Sequence, residues 1–292
     1  MEIKVQDHKI PIRLDRYLKK LDSKLTQGII EKSLRKSCIK VNGNKSSANT
    51  RISDGDIVYI LDNILNLDAD KEEEISLPAS NFAKKLLSEN LLFENQHFYA
   101  FLKPSGVPTQ GGSKISISLD DAFKAIGARI VHRLDKDTSG IILAAKTRDD
   151  AIILTKAFEE RKIQKHYFAI VSPMVGKQHG RVDNFIFKKD KYSVGITQDG
   201  AKGAKHAITE YMHISDSLGQ SLLEFIPITG RMHQIRAHAA YLGSPIVGDV
   251  KYGGLENKFL LLHAGKIIIH KSIFGEEIII SSDLPEYFGI RP

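Results

Sequence analysis

The sequence predicts an α+β protein whose larger, C-terminal part holds a mixed or antiparallel sheet. Three observations carry this. After about residue 80, short runs rich in Val, Ile, Leu and Phe outnumber segments with helical spacing. Those runs follow one another strand upon strand, without the regular strand–helix alternation of a parallel sheet. An acidic run, Asp68-Ala69-Asp70-Lys71-Glu72-Glu73-Glu74, followed by Pro78, divides the chain. It separates a small N-terminal domain (1–61) from a large domain (81–292), with an acidic linker (62–80) between them. Such runs stay solvated and make poor core elements.

In the N-terminal part, Arg13-Leu14-Asp15-Arg16-Tyr17-Leu18 starts a helix and a second covers about Thr26 to Lys36. Ile29, Ile30 and Leu34 share one face of the second helix, and Lys32, Arg35 and Lys36 lie towards the other. Ile39-Lys40-Val41 is a strand, Asn42-Gly43 a tight hairpin turn, and Ile57 and Tyr59 continue the sheet. In the large part, strands are predicted at His97–Leu102, Ile141–Ala145, Tyr167–Val171, His206–Ile214, Leu222–Ile228, Leu260–His263, Ile267–His270 and Ile278–Ile280. Helices are predicted at Ala151–Arg161 and Met232–Tyr241, the second closed by Gly243-Ser244-Pro245.

The net charge is +7, from 42 Lys and Arg against 35 Asp and Glu. Residues 1–60 carry 13 basic against 7 acidic side chains, residues 61–80 carry 1 against 6, and residues 81–292 carry 28 against 22. Two basic bodies thus flank an acidic spacer. That suits a polyanionic partner, although a basic surface also serves solubility alone. No apolar run reaches the roughly 18 residues of a membrane-spanning helix. Residues 1–11 lack the apolar centre of a signal peptide. Cys38 is the one cysteine, so neither an internal disulfide nor a cysteine metal cluster can form. A cytoplasmic protein with no membrane partner is expected.

The segment His132-Arg133-Leu134-Asp135-Lys136-Asp137-Thr138-Ser139-Gly140 precedes an apolar strand. On spacing alone it is a polar loop that delivers a carboxylate beside an arginine, and a surface loop whose Asp caps a turn accounts for it better. Tyr167 alone is an ordinary core tyrosine and Arg231 alone a surface arginine. Lys32, Arg35, Lys36, Lys40 and Lys45 form a solvated basic face that could also track phosphates.

Taken together, these segments resemble the RluA/RluC type of pseudouridine synthase. Residues 132–140 match that family's signature throughout. Lys103-Pro104-Ser105-Gly106 resembles its first core motif, and Lys165-His166-Tyr167 with Phe168-Ala169-Ile170-Val171 its tyrosine-bearing strand. Thr229-Gly230-Arg231-Met232-His233-Gln234-Ile235-Arg236 resembles its third motif, with Met232 where threonine is usual. Gly243–Asp249, Lys251-Tyr252-Gly253 and Leu262-His263-Ala264 resemble the family's more C-terminal segments. The order helix, helix, Val41-Asn42-Gly43, then Asp54-Gly55-Asp56 before a strand resembles the S4 RNA-binding domain, with Cys38 where that domain often has glycine. The S4-like module and Gly111-Gly112 lean towards the RluC branch.

The resemblance implies a mainly antiparallel-sheet pseudouridine synthase core behind a small N-terminal α/β S4-like domain. It implies isomerisation of uridines in RNA, with 23S (large-subunit) ribosomal RNA or its precursor favoured over transfer RNA. Uridine must lose its N1–C1′ bond, turn, and rejoin through C5, and the base must first be flipped out of its helix. Asp135 is implied as the catalytic carboxylate, attacking C1′ or C6 or abstracting the C2′ proton. Tyr167 would stack on the extruded base, and its hydroxyl could help remove the C5 proton. The resemblance makes Arg231 the ion-pair partner of Asp135. It sends Arg133 into the space vacated in the RNA stack and to phosphates. Lys103 either contacts RNA phosphate or merely ends a strand. The reaction exchanges no electrons and consumes no water, so no metal or organic cofactor is implied, and a monomer is the default. A metal hydrolase using His132, His233, His238 and His263 is a rival without a His-Glu-x-x-His or paired-cysteine pattern. A non-enzymatic RNA-binding protein is another, but it would have no use for Asp135 among phosphates.

Overall fold

The computed structural model describes residues 1–6, 11–22, 25–61, 76–111, 117–190, 192–200 and 203–289. The chain forms two compact units that divide between residues 74 and 75. The acidic run 68–74 and Gly112 lie outside the described residues.

The first unit comprises β1 (Glu2–Lys4), β2 (Ile12–Arg13), α1 (Leu14–Leu21), α2 (Gln27–Arg35), β3 (Ile39–Val41), β4 (Asn44–Lys45), β5 (Arg51–Ile52) and β6 (Ile57–Ile60). In α1, Leu14, Tyr17 and Leu18 fall three and four apart and are buried together. Thr26 caps α2 by accepting the Ile29 N–H, and Ile29, Ile30 and Leu34 face the core. Asn42 and Gly43 both have positive φ, 50° and 76°, as a two-residue hairpin turn requires. They set Lys40 opposite Lys45. Both lysines are exposed, as are Arg35 and Lys36, while Lys32 is half-buried.

The second unit begins with α3 (Leu77–Glu89). This corrects the expectation that the linker extends to residue 80. Ser76 caps the helix by accepting the Ala79 N–H, and Pro78 sits in its first turn, where a missing N–H costs nothing. There follow β7 (Leu91–Glu94), β8 (Phe98–Lys103), α4 (Leu119–Ala125), β9 (Arg129–Ile130), β10 (Ser139–Ala145), α5 (Arg148–Glu159), β11 (Ile163–Val171), β12 (His179–Lys188), β13 (Val194–Thr197), β14 (Lys205–Ser217), β15 (Gln220–Pro227), α6 (Gln234–Tyr241), β16 (Leu262–Ile269) and β17 (Ile278–Ser281). Eleven strands form one sheet, in the order β13-β12-β14-β15-β11-β16-β10-β8-β7, with β17 beside β16 and β9 beside β10. Every pairing in it is antiparallel except β10 with β16.

β10 is buried along its whole length because both faces of the sheet are covered. Ile142 and Ala144 join Phe101 and Phe123 on one side. Ile141, Leu143 and Ala145 join Phe98 and Leu154 on the other. This is why its sequence is continuously apolar rather than alternating.

Several predicted boundaries shift by a few residues, and two of the shifts have a clear physical cause. Leu260–His263 and Ile267–His270 are not separate strands, because β16 runs unbroken through Gly265. A side chain at Gly265 would press on the Phe168 ring, so this glycine marks close packing rather than a break. Helix α6 starts at Gln234 and not Met232, since His233 takes a left-handed backbone conformation.

Gly140 ties the loop before it to the sheet. Its φ is +116°, and a Cβ there would collide with the backbone of Ala264 on the parallel neighbour β16. Gly140→Ala is therefore expected to destabilise the second unit by about 3 kcal/mol, from overpacking against rigid backbone and an unfavourable φ. Gly176→Ala, where nothing lies within reach, should stay within about 0.5 kcal/mol. Denaturant unfolding of the two variants beside wild type measures the difference.

Candidate active site

The loop 132–138 between β9 and β10 carries Asp135, and the segment after β8 holds it in place. Lys103 closes β8, and its Nζ donates to the carbonyls of Pro104 (3.0 Å), Val107 (2.8 Å) and Lys136 (2.8 Å). The Gly106 N–H also donates to the Lys136 carbonyl, and Ser105 Oγ to that of Asp137. Thr109 Oγ1 donates to the Leu134 carbonyl at 2.6 Å and accepts the Leu134 N–H at 3.2 Å. Leu134 itself is buried in the core. Beneath the loop, His132 Nε2 accepts the Leu143 N–H. Burial, aided by Lys165, pushes the His132 pKa down to about 3, so the ring is a neutral spacer.

Lys103 is thus 0% exposed. The reading in which it contacts RNA phosphate is corrected: its three donors are consumed by carbonyls inside the protein.

Asp135 projects from this clamp into an open cavity of about 1150 Å³. Its side chain is 30% exposed, and one carboxylate oxygen faces two side-chain nitrogens. Arg236 Nη1 lies 3.6 Å from Oδ2, and His233 Nε2 lies 3.8 Å from it. Arg236 is fixed from behind by a bidentate pair with buried Asp249, Nε to Oδ2 and Nη2 to Oδ1 at 2.7 Å each. The remaining Nη1 is the group left to face Asp135. Gly248 makes this possible, because a side chain there would strike the Phe259 carbonyl.

The expectation that Arg231 pairs with Asp135 is therefore corrected. A network pinches the chain between Thr229 and Gln234. Gln234 Oε1 accepts from Thr229 Oγ1 (2.7 Å) and from the Arg231 N–H (2.9 Å), while Nε2 donates to the Ile208 carbonyl and to Thr209 Oγ1. The turn so formed sends Arg231 outward, where its Nε donates to the His206 carbonyl at 2.9 Å. Arg236, in the first turn of α6, points inward instead. Arg231 still lines the cavity, as does exposed Arg133. Tyr167 lies on the cavity wall, 7% exposed. Burial, and secondarily the charge of Asp135, raises its phenol pKa above the ordinary value, so the hydroxyl keeps its proton at neutral pH.

The structure thus brings Asp135, Tyr167, Arg133 and Arg231 to one cavity and adds Arg236 and His233, with Asp249 buried behind Arg236. Arg133, Arg161, Lys165, Lys188, Arg231 and Arg236 line it against only Asp135 and Glu159. Among the described residues, no three His, Cys, Asp or Glu side chains lie close enough to hold a metal ion. No helix among them is long and apolar enough to cross a membrane.

Residues 97–241 match the family model described as RNA pseudouridylate synthase. The Ribosomal large subunit pseudouridine synthase C of Rickettsia typhi is 43% identical over 97% of this chain and 97% of its own length. That of Vibrio cholerae is 29% identical over 87% of this chain and 84% of its own. A solved structure titled Human RNA Pseudouridylate Synthase Domain Containing 4 superposes with TM-score 0.63 at 26% identity, covering 73% of this chain and 94% of that one. The chain belongs to the pseudouridine synthase family.

For a pseudouridine synthase the cavity has apt dimensions and sign. It exceeds the roughly 300–1,000 Å³ of small-molecule pockets, leaving room for a nucleotide with its neighbours. Its excess of cations suits an RNA backbone. The missed residue was Arg236. It stands in the same motif as Arg231, and the signal that could have singled it out is Asp249, an acid able to hold it from behind.

Two measurements check this geometry. Arg236→Ala leaves Asp249 buried without its partner and is expected to cost about 3–5 kcal/mol of stability. Arg231→Ala frees only a backbone carbonyl and should cost under about 1 kcal/mol. Denaturant unfolding compares them. The second concerns Lys103, whose pKa burial pushes down from 10.5 to about 7 against the pull of Asp137 and Asp135. Between those values the unfolded chain binds a proton that the folded chain has released. The contribution of this group to stability therefore rises with pH across about 7 to 10.5 and is flat below and above. The stability difference between wild type and Lys103→Met should widen in wild type's favour over that window by up to about 1.4 kcal/mol per pH unit.

Proposed function

We propose that this pseudouridine synthase isomerises specific uridines of large-subunit ribosomal RNA, with Asp135 as its catalytic carboxylate. The observation that carries the assignment of Asp135 is its position: a partly exposed carboxylate, in a cavity lined mainly by cations, faced by Arg236 and His233. The choice of RNA is supported by the names of relatives that match over nearly the whole chain.

In this reading the RNA backbone lies along the basic rim, with Arg133 and Arg231 near phosphates, and the target uridine is turned out into the cavity. Tyr167, protonated, offers a ring for the base to stack on and a hydroxyl that donates rather than accepts a proton in the resting state. Burial, more than the charge of Asp135, holds that proton, so a general-base role for it would require substrate to relieve the burial. Asp135 acts on the ribose or the base to release N1 from C1′. The base then rotates, C5 bonds to C1′, and the C5 proton is lost as N1 gains one. Atoms and electrons balance within the nucleotide, so the chemistry calls for no cofactor.

The N-terminal unit serves as an S4-like RNA-binding domain, with Arg35, Lys36, Lys40 and Lys45 on its exposed basic surface and Lys32 beside them. A ribosomal RNA substrate supports a cytoplasmic site of action. A monomer is the default in this reading.

The test expresses wild type and Asp135→Asn in cells lacking an enzyme of this class and maps pseudouridines by carbodiimide-dependent reverse-transcription stops. Stops in large-subunit RNA are expected with wild type and none with the variant. Stops confined to transfer RNA would overturn the substrate. Equal stops with both proteins would overturn the role of Asp135.

A further inference from the structure

The segment containing Tyr252 reaches Asp135 through contacts that the chemistry above leaves unused. His233 precedes α6 with φ 51° and ψ 25°. A left-handed non-glycine backbone of this kind persists only where its surroundings hold it. The ring it carries has Nε2 3.8 Å from Asp135 Oδ2 and Nδ1 2.9 Å from the Tyr252 hydroxyl. That hydroxyl also accepts the Val194 N–H of β13 at 3.1 Å. The Tyr252 and His233 rings meet edge to face, 86° apart with centroids at 5.7 Å. The face of the same tyrosine carries the Arg236 guanidinium, 5.1 Å from the ring centre.

We propose that Tyr252 is a positioning residue for Asp135. Its hydroxyl fixes His233 in the tautomer that carries the proton on Nε2, and its ring seats Arg236. One side chain thereby orients the His233 ring and packs on the guanidinium that Asp249 holds. The proposal rests on the reading of Asp135 as the catalytic group.

Two independent constraints give the tautomer. The Tyr252 oxygen already accepts the Val194 N–H, so its own proton is the natural donor to His233 Nδ1. An Nε2 lone pair facing the Asp135 carboxylate would be repelled, whereas an N–H there is attracted. Both place the proton on Nε2. The charged and titratable groups facing His233 are Asp135 from the loop, Arg236 from α6, and Asp249, Lys251 and Tyr252 from the segment beyond. Burial, with Arg236 and Lys251, outweighs the two acids and holds the imidazole below its ordinary pKa, so the ring is neutral and one nitrogen alone is protonated.

The test pairs a spectrum of the free protein with kinetics. Ring ¹⁵N shifts of His233 are recorded for wild type and Tyr252→Phe, a change that keeps the ring over Arg236 and removes only the hydroxyl. Single-turnover conversion and affinity are then measured on a ribosomal RNA fragment that wild type modifies. Wild type is expected in the Nε2–H form, and Tyr252→Phe in mixed or Nδ1–H form. The variant's conversion rate should fall about ten-fold, with affinity within about two-fold. Tyr252→Leu, which also unseats Arg236, should fall further. His233→Ala added to Tyr252→Phe should cost little more, because the two act as a unit. An Nδ1–H ring in wild type, a spectrum unmoved by Tyr252→Phe, an unchanged rate, or a loss confined to affinity would each overturn the proposal. A wild type that modifies no RNA would instead sink the reading of Asp135, and the spectrum would still decide the tautomer.

Discussion

The buried pair between Arg236 and Asp249 is the interaction on which the site depends. A guanidinium offers donors in a flat fork, and a carboxylate can engage two of them side by side. Asp249 does so with Nε and Nη2, each at 2.7 Å. The pair immobilises the arginine and leaves Nη1 aimed at Asp135. Lysine could not substitute, since a point charge on a flexible stem has no second edge to present. Asp249 in turn depends on a glycine beside it that lets the chain pass under the Phe259 carbonyl. The position of the carboxylate's counter-charge is thus decided by a residue outside the motif that carries Arg236 and distant in the chain from Asp135.

The other half of the constraint is the clamp on the loop itself. A buried lysine is costly unless every donor is satisfied. Lys103 meets that condition with three backbone carbonyls, two from its own turn and one from the loop it holds. Thr109 and Ser105 add further bonds to the same loop. Leu134 is pinned in the core on one side of Asp135, and Gly140 draws β10 against β16 on the other. The carboxylate is therefore presented by a rigid loop on a fully buried strand, which is the arrangement that precise positioning of a reacting group requires. Motifs far apart in the chain converge here because β8, β10, β11 and β16 are neighbours in one sheet.

The sign of the cavity arises from the same architecture. Its cations come from the loop that carries Asp135, from the turn after α5, from β11 and β12, and from the turn before α6 and the helix itself. They gather around Asp135, which leaves a polyanion well placed on the rim and a carboxylate isolated in the middle.

Much of this was legible in the residues. The amphipathic spacing of Ile29, Ile30 and Leu34, the Asn42-Gly43 turn and the apolar runs of β8, β10 and β15 are local features. Their consequences are local too, so the elements appear within a few residues of where they are read. The nine-residue signature around Asp135 singled out the carboxylate, because the match covers the loop as a continuous string. Matters of packing were not legible. Residues 77–80 read as linker by charge, but Ser76 and Pro78 open a helix there. The strands expected at Leu260–His263 and Ile267–His270 are one, with Gly265 inside it as an allowance for Phe168. Lys103 read as a possible phosphate contact because lysines are usually exposed, and its burial depends on carbonyls that only the fold assembles. By itself the sequence determined the family, the division into two basic bodies and the acid to which the chemistry is assigned. Only the tertiary structure decided that Arg236 rather than Arg231 faces Asp135. The two arginines share one motif, and the choice rests on a hydrogen-bonded turn and on Asp249, neither of which spacing along the chain can express.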